Sequence, residues 1–529
     1  MIPKSSLVQQ LAEELKRLSP GTVAVPLGVA AAAAVLQLGA TLVGQLHGYG
    51  YFIDELYYIA CARRLSFGYV DHPPLAPAIL RMNLALFGDS LVALRIPSAV
   101  AGALTALTTG WLAARLGAGR FGQALAAICA VVPPLFLVIF NFFSMNSFEI
   151  LLWTAMLLVV VLMVERNEPR LWVVFGALSG IALENKHTVV LLAVGILAGL
   201  GLTAERKLLF TKWLFVGGAL AFLLFLPNLL WQVGNEFPSL EFYRNATVFK
   251  NRPLPPLQVV WNQVLFMSPV TLPVWAAGIY FCLRRRPELR FLAIAYLLLL
   301  GSLVLSQSSR PDRIAGLYPA LFACGSVAIE RFVRSRPARA LVLTAVLAGS
   351  ALLAGISLPV LPPESVSRFV GFLGVDTQIE RGAGKRAELP QWLADRFGWE
   401  ELVDPLTTVF LSLSEEERAR AVILAPSYGH AGALELFGRG RLPPVMSPHN
   451  TYHLWGRDDV RRLEGGVLIS IGYDAEDIGA MYESIEQVAV YDCDYCMTWR
   501  DEMPIFLARG LKIAGSELGP AWEAAKHYE

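Results

Sequence analysis

Apolar runs long enough to cross a bilayer recur from near the start of the chain to position 359, and nothing else in the sequence constrains the fold as strongly. The hydrocarbon core is about 30 Å thick and a helix rises about 1.5 Å per residue, so roughly 20 apolar residues make a span. Eleven spans are expected: Val23–Gln45, Leu91–Leu116, Phe121–Phe140, Phe148–Val164, Leu171–Ala182, His187–Thr203, Trp213–Trp231, Val264–Leu283, Phe291–Ser306, Ile314–Phe332 and Ala340–Pro359. The fifth is short and must borrow residues up to Lys186. In lipid every backbone polar group must be satisfied within the segment, so the fold class is an α-helical polytopic membrane protein. The composition agrees: 55% of residues are hydrophobic and only 16% charged, where soluble domains average roughly 25% charged. A net charge of +1 gives no reason to expect a nucleic-acid partner.

The basic residues set the orientation, because loops rich in Lys and Arg stay cytoplasmic. Ser5–Arg17 is polar and amphipathic, with no sign of a cleavable signal, so residues 1–22 are expected to form a cytoplasmic N-terminal segment. Every second loop is then basic: Arg115 and Arg120; Arg166 and Arg170; Arg206, Lys207 and Lys212; Arg284, Arg285, Arg286 and Arg290; Arg331, Arg334, Arg336 and Arg339. The opposite loops carry mixed charges, prolines and aromatics, and two of them are long, at 47–90 and 232–263. Function is therefore expected on the outer face.

A transmembrane domain over 23–360 gives way at 361–529 to a soluble composition. Short apolar runs at Thr408–Leu413, Ala421–Leu424, Gly466–Ile471 and Val488–Tyr491 alternate with polar, helix-like stretches, which predicts a small α/β domain. An odd number of spans places it outside. Its Cys493 and Cys496 form a CxxC. Two cysteines supply at most half of a structural zinc site, so a local disulfide or an inert pair is the first expectation, with zinc and redox roles left open.

Ionisable groups near a membrane are expensive to keep, so each is a candidate functional residue. Their highest density is in Gly48–Leu75, where Asp54 and Glu55 lie among Tyr51, Phe52, Tyr57 and Tyr58. A carboxylate there can act as general base toward a hydroxyl; equally, Asp54 can cap a helix running from Glu55 to Leu65. Asp71 and His72 precede paired prolines, a pattern that reads as a turn. Asn141, Asn146, Glu149, Glu184, Lys186, His187, Arg244, Lys250, Arg252, Arg310, Asp312 and Arg313 mark the outer ends of other spans. Cations on that side run against the orientation rule, and an anionic ligand such as a lipid phosphate would explain them.

The order of these features resembles the GT-C membrane glycosyltransferases, specifically glycosyltransferase family 39, which includes protein O-mannosyltransferases and aminoarabinose transferases. The resemblance is carried by the acidic pair after the first span, DHPPL at Asp71–Leu75, LENKH ending at His187, PNLLWQVGNEFPSLEFYRNA, and SRPDRIAGLYPAL. It covers roughly residues 45 to 330, and the outer-domain stretch YGHAGALELFGRGRLPPVMSPHNTYHLWG is similar to bacterial members. The resemblance implies a GT-C fold and inverting transfer of a sugar from a polyprenyl-phosphate donor to an acceptor hydroxyl on a lipid, glycan or protein. By that likeness Asp54 is the catalytic base and Glu55 completes its pair, while Lys186, Arg244, Arg310 and Arg313 fall to the donor phosphate. Asp71, His72, Asn146, Glu149 and Tyr318 fall to acceptor or substrate binding. His72 stands where aminoarabinose transferases usually carry lysine, which argues against that particular sugar. No cofactor is required, since a lipid phosphate is already a competent leaving group; a divalent metal at Glu55, Asp71, His72 and Glu149 is left open. The expected location is a bacterial inner membrane, with site and C-terminal domain extracytoplasmic. The competing function is a lipid-linked sugar carrier or flippase without transferase activity.

Overall fold

Some apolar runs stay continuous helices, three of them despite an internal proline (Pro26, Pro97 and Pro227), and others break. In the computed structural model, which describes residues 20–374 and 387–529, the runs without an internal break form helices at Pro20–Leu46, Leu91–Arg115, Met145–Arg166, Lys212–Gly234, Arg290–Leu305 and Arg336–Ser357. Among the described residues six helices are long and apolar enough to cross a membrane, or seven if one bent pair counts as a single span. The expected cytoplasmic segment, with Lys4, Lys16 and Arg17, lies outside the described residues.

The shortfall from eleven has local causes. The third expected span is two helices, Arg120–Cys129 and Pro134–Ile139, because Pro134 has no N–H to continue the first and sits well at the start of the second. The eighth does not start at Val264: Pro256–Phe266 and Pro269–Arg285 meet at 86°, at a Ser268 with φ +68° followed by a proline. The tenth opens as a 3₁₀ turn, Pro311–Leu317, before the α-helix Tyr318–Phe332. The fifth and sixth are 13-residue helices, Leu171–Leu183 and Val189–Gly201.

The chain divides into two compact units. Of the described residues, the first comprises 20–42, 92–229 and 253–358 and is helical. Its helices approach closely where glycines face each other: a Cβ on Gly278 would strike the Leu321 carbonyl, and one on Gly325 the Val274 carbonyl. Gly176 and Gly217 bring Leu171–Leu183 against Lys212–Gly234 in the same way. Small residues at such crossings let backbones pack where lipid offers no hydrophobic drive between helices. Buried polar groups add a second tie, Asn141 donating to the Gln37 side chain at 3.0 Å and Gln37 to the Leu137 carbonyl at 3.3 Å.

The second unit joins 43–91 and 230–252 to the described residues 359–374 and 387–529. Its five-stranded sheet comprises β1 (Ala421–Leu424), β2 (Val445–Met446), β3 (Val467–Ile471), β4 (Tyr482–Tyr491) and β5 (Met503–Leu511), in the order β2-β1-β3-β5-β4. The β1–β2 and β1–β3 pairs are parallel, and β5 runs antiparallel to both β3 and β4. Alternate residues feed two cores: Ala421, Ile423, Ile469 and Ile505 enter one, and Val422, Leu424, Leu468 and Ala508 the other. Burial on both faces is why β1 and β3 read as unbroken apolar runs. The expected α/β domain is present, with two corrections. Thr408–Leu413 is no strand, since Val403–Ser412 is a helix burying Val403, Leu406 and Val409 at helical spacing. β5 went unpredicted because Ile505 to Ala508 are all buried and show no alternation.

The stretch 43–91 packs onto this sheet. Tyr57, Ala60 and Cys61, from the helix Ile53–Arg63, enter the same core as Ile423 and Ile469. Gly432 of the helix Tyr428–Phe437 lies against the Leu56 backbone, where any side chain would collide.

Candidate functional site

The acidic pair is divided between two tasks at the start of Ile53–Arg63. Phe52, not Asp54, is the N-cap, and the Phe52 N–H donates to Glu55 Oε2 at 2.8 Å. Glu55 is fully buried and thereby satisfies one of the orphan donors of the first turn. At the position expected beside Asp54 in the chemistry, Glu55 thus caps the helix. Asp54 sits one residue earlier on the helix and stays half-buried. Its Oδ1 accepts the Tyr428 hydroxyl at 2.9 Å, and Tyr428 opens a helix capped by Ser427, whose Oγ accepts the His430 N–H.

Around the same helix the other candidates are committed elsewhere. The Tyr57 hydroxyl donates to Asp71 Oδ1 at 2.7 Å and lies 2.5 Å from the Thr451 hydroxyl, which also accepts the Val70 N–H at 3.0 Å. Burial first, and then the charge of Asp71, pushes the Tyr57 phenol well above its ordinary value, so it remains a donor. His72 is 1% exposed and stacks on Tyr58; its Nδ1–H donates to the Pro73 carbonyl at 2.9 Å, leaving Nε2 toward the Cys61 thiol at 3.9 Å. His72, expected at the substrate, is thus buried among these rings. Arg244 lies exposed on Pro238–Asn245.

In the first unit, Met145–Arg166 begins at a Ser144 cap and places Asn146 and Glu149 one turn apart on one face. Lys186, in the connection after Leu171–Leu183, donates to Asn146 Oδ1 and to Glu149 Oε2, both at 2.7 Å. The Thr188 hydroxyl donates to the other Glu149 oxygen. Asp312 Oδ2 is 4.0 Å from the Lys186 ammonium, and Asp312 Oδ1 accepts Arg310 Nε–H at 3.1 Å. Burial pushes the Asp312 carboxyl up, but Arg310, Lys186 and Arg313 together hold it well below the usual carboxylate range. Lys186, Asn146, Glu149, Arg310 and Arg313 thus gather as one charged cluster in this unit. Tyr318 does not join them. It is fully buried, its hydroxyl donating to Gln263 Oε1 at 2.8 Å and lying 3.0 Å from that of Tyr296.

Sequence reasoning missed Tyr428, Thr188 and Asp312 as partners of these groups. Tyr428 opens YGHAGALELF and Asp312 lies between two arginines, so both had a local signal. Thr188 had none beyond following Lys186 by two residues. For a metal, no group of three His, Cys, Asp or Glu side chains lies close enough to hold an ion among the described residues. The open assignment to Glu55, Asp71, His72 and Glu149 is not assembled: each is engaged by Phe52, Tyr57, Pro73 or Lys186.

Glu184 is a further carboxyl in the Lys186 connection. Burial pushes it up to about 7 against the pull of a hydrogen bond with the Asn228 backbone, and Oε1 lacks a hydrogen-bond partner. A raised carboxyl contributes stability below its unfolded value, here 4.5, and loses that contribution as pH climbs to about 7. Glu184→Gln should therefore leave the melting temperature in detergent unchanged at pH 4 and raise it at pH 8. An equal shift at both pH values would show that Glu184 is not protonated in the fold.

Residues 71–231 match the family described as dolichyl-phosphate-mannose-protein mannosyltransferase. Over most of its length the chain is similar in fold to ArnT from Cupriavidus metallidurans. Against its crystal structure bound to undecaprenyl phosphate the TM-score is 0.58 at 16% identity, covering 92% of this chain and 98% of that one. Against the apo crystal structure it is 0.56 at 14% identity, covering 89% and 97%. No curated protein matches the chain in sequence.

Proposed function

For a multi-pass membrane chain with a GT-C fold of the glycosyltransferase family 39 type, we propose transfer of a sugar from a polyprenyl-phosphate donor to an acceptor hydroxyl at the outer face of the membrane, with inversion. The similarity to a structure that binds undecaprenyl phosphate supports the donor class. The observation that carries the reading is the split of the acidic pair. Glu55 accepts the N-cap N–H at the helix start, which leaves the Asp54 carboxylate half-buried with the Tyr428 hydroxyl donating to it.

In this mechanism Asp54 removes the acceptor proton as the hydroxyl attacks the anomeric carbon from the face opposite the phosphate. Negative charge grows on the departing phosphate. Lys186 and Arg310, with Arg313 and the exposed Arg244, stabilise it more in the transition state than in the ground state. The acceptor is a lipid, glycan or protein hydroxyl. No metal is required by this chemistry, and a chelator arm in the assay tests that.

The test is sugar transfer from a panel of radiolabelled polyprenyl-phosphate sugars by purified protein, with and without chelator. One donor consumed with label recovered in an acceptor supports the reading. Donor bound with none consumed supports the carrier reading instead.

Tyr428 positions the base. Its hydrogen bond to a carboxylate is of the charge-assisted kind, worth about 1.5–3 kcal/mol. Tyr428→Phe should lower turnover roughly tenfold with donor KM unchanged. A rise in KM with turnover intact would assign Tyr428 to binding instead.

A further inference from the structure

The CxxC of the C-terminal part lies outside all of this machinery and has surroundings of an unusual kind. Cys493 is half-exposed and Cys496 buried, both as free thiols. Cys496 Sγ–H donates to the Cys493 carbonyl at 3.1 Å, and the Cys493 N–H donates to Asp501 Oδ1 at 3.1 Å. The Cys493 sulfur and the Tyr491 hydroxyl close over Gly398, at φ +80°, so tightly that a side chain there would collide with both. The hydroxyl is anchored by donating to the Gly398 carbonyl.

Behind the pair stands Arg500, 2% exposed. Its guanidinium lies 3.8 Å from the centre of the Trp399 ring, and one nitrogen donates to the Phe397 carbonyl at 2.6 Å. Nε and Nη1 are buried without a hydrogen-bond partner, and among the described residues no ion pair answers the charge. A buried cation is strongly unfavourable unless an anion adjoins it. Its charge reaches both sulfurs, as well as the Tyr491 phenol and His430. Cys493 is held below the ordinary thiol range, first by the hydrogen bond from Cys496 and then, against burial, by Arg500. Cys496 is pushed up by that same hydrogen bond and by burial, and so keeps its proton.

We propose that Cys493 and Cys496 are a thiol–disulfide exchange site, with Cys493 the attacking sulfur, Cys496 the resolving one, and a low-molecular-weight disulfide as co-reactant. The half-exposure of Cys493 suits a small partner. The Cys493 thiolate attacks one sulfur of that disulfide, forming a mixed disulfide and releasing one thiolate. Cys496 gives its proton to the released thiolate and attacks Cys493 Sγ, which closes the internal disulfide and expels the second thiolate. Two electrons pass from the cysteine pair to the incoming disulfide, which is reduced to two thiols. Arg500 stabilises the attacking thiolate, a microenvironment that marks reactive rather than inert cysteines. The site is independent of sugar transfer.

The test uses the full chain in detergent, reduced and then exposed to oxidised glutathione, with the Cys493–Cys496 peptide followed by mass spectrometry. The wild type should lose two hydrogens and regain them in reduced glutathione, whereas Cys496→Ser should trap a glutathione adduct on Cys493. Iodoacetamide should label Cys493 at neutral pH faster than Cys496, and Arg500→Gln should slow that labelling roughly tenfold at pH 7 while Arg500→Lys preserves most of it. Tyr491→Phe and Asp501→Asn, the other ionisable groups facing the pair, serve as comparisons. A pair that stays reduced in oxidised glutathione overturns the proposal. So does a pair that resists reductant, or Cys493 labelling at the rate of an ordinary thiol irrespective of Arg500. Because Cys496→Ser changes a single atom, its adduct decides the matter even if Arg500→Gln fails to fold.

Discussion

Asp54→Asn abolishes sugar transfer, lowering turnover by at least about a thousandfold, within the range that general-base catalysis contributes, and leaves donor binding and the melting temperature unchanged. Asparagine keeps the size of the side chain, and its carbonyl oxygen still accepts the Tyr428 hydroxyl, so the helix start has no reason to move. What disappears is the capacity to take a proton. Glu55→Gln gives the opposite pattern. Its amide oxygen accepts the Phe52 N–H less strongly than a carboxylate, and the buried cap weakens by about 1 kcal/mol, which lowers the melting temperature while turnover stays within a few-fold. The pair of variants is read by transfer of radiolabel from the polyprenyl-phosphate donor, alongside thermal melts of the same preparations. If Asp54→Asn retains turnover within tenfold, or if Glu55→Gln is the variant that stops transfer, the division of the acidic pair is wrong.

Much of this arrangement was legible along the chain, in proportion to how local its causes are. The apolar runs foretell helices because a span is decided by composition over about 20 consecutive residues. The run 264–283 misled because Ser268 and Pro269 bend the backbone without interrupting the apolar pattern. The α/β character of the C-terminal part was visible in β1 and β3, whose burial on both faces makes them continuous. β5, whose buried stretch Ile505 to Ala508 shows no alternation, was not read. Within the candidate site, Asp54 and Lys186 were found through residue type and order. Their engagement was not: nothing near position 54 announces Tyr428, and nothing near position 186 announces Glu149 or Asp312. The surroundings of His72 and Tyr318 were hidden for the converse reason. A polar side chain satisfied by a buried carbonyl or amide looks in sequence like one offered to a ligand, and only the fold tells them apart.

The charged cluster of the first unit yields the second large effect, and here stability and chemistry must be separated. Lys186 and Glu149 are only 11% and 7% exposed and are joined at 2.7 Å. Lys186→Met leaves the Glu149 carboxylate buried with the Thr188 hydroxyl as its remaining donor among those seen here. Breaking a buried pair from one side costs about 3–5 kcal/mol, so the melting temperature falls sharply and transfer is lost with it. Loss of activity in that variant alone proves little. Adding Glu149→Gln removes the stranded charge, and the double variant should recover most of the melting temperature, because residues in direct contact are strongly non-additive. It should not recover transfer, which stays at least about a hundredfold down, since the arginines that remain do not replace the lysine's charge at the leaving phosphate. The decisive comparison is therefore the double variant, assayed for melting, for retention of polyprenyl phosphate, and for transfer. Restored stability with transfer still absent assigns Lys186 to the phosphate. Restored stability together with restored transfer makes the lysine a structural counter-ion of Glu149 and moves the phosphate to the arginines, with Arg310→Gln as the next variant to measure.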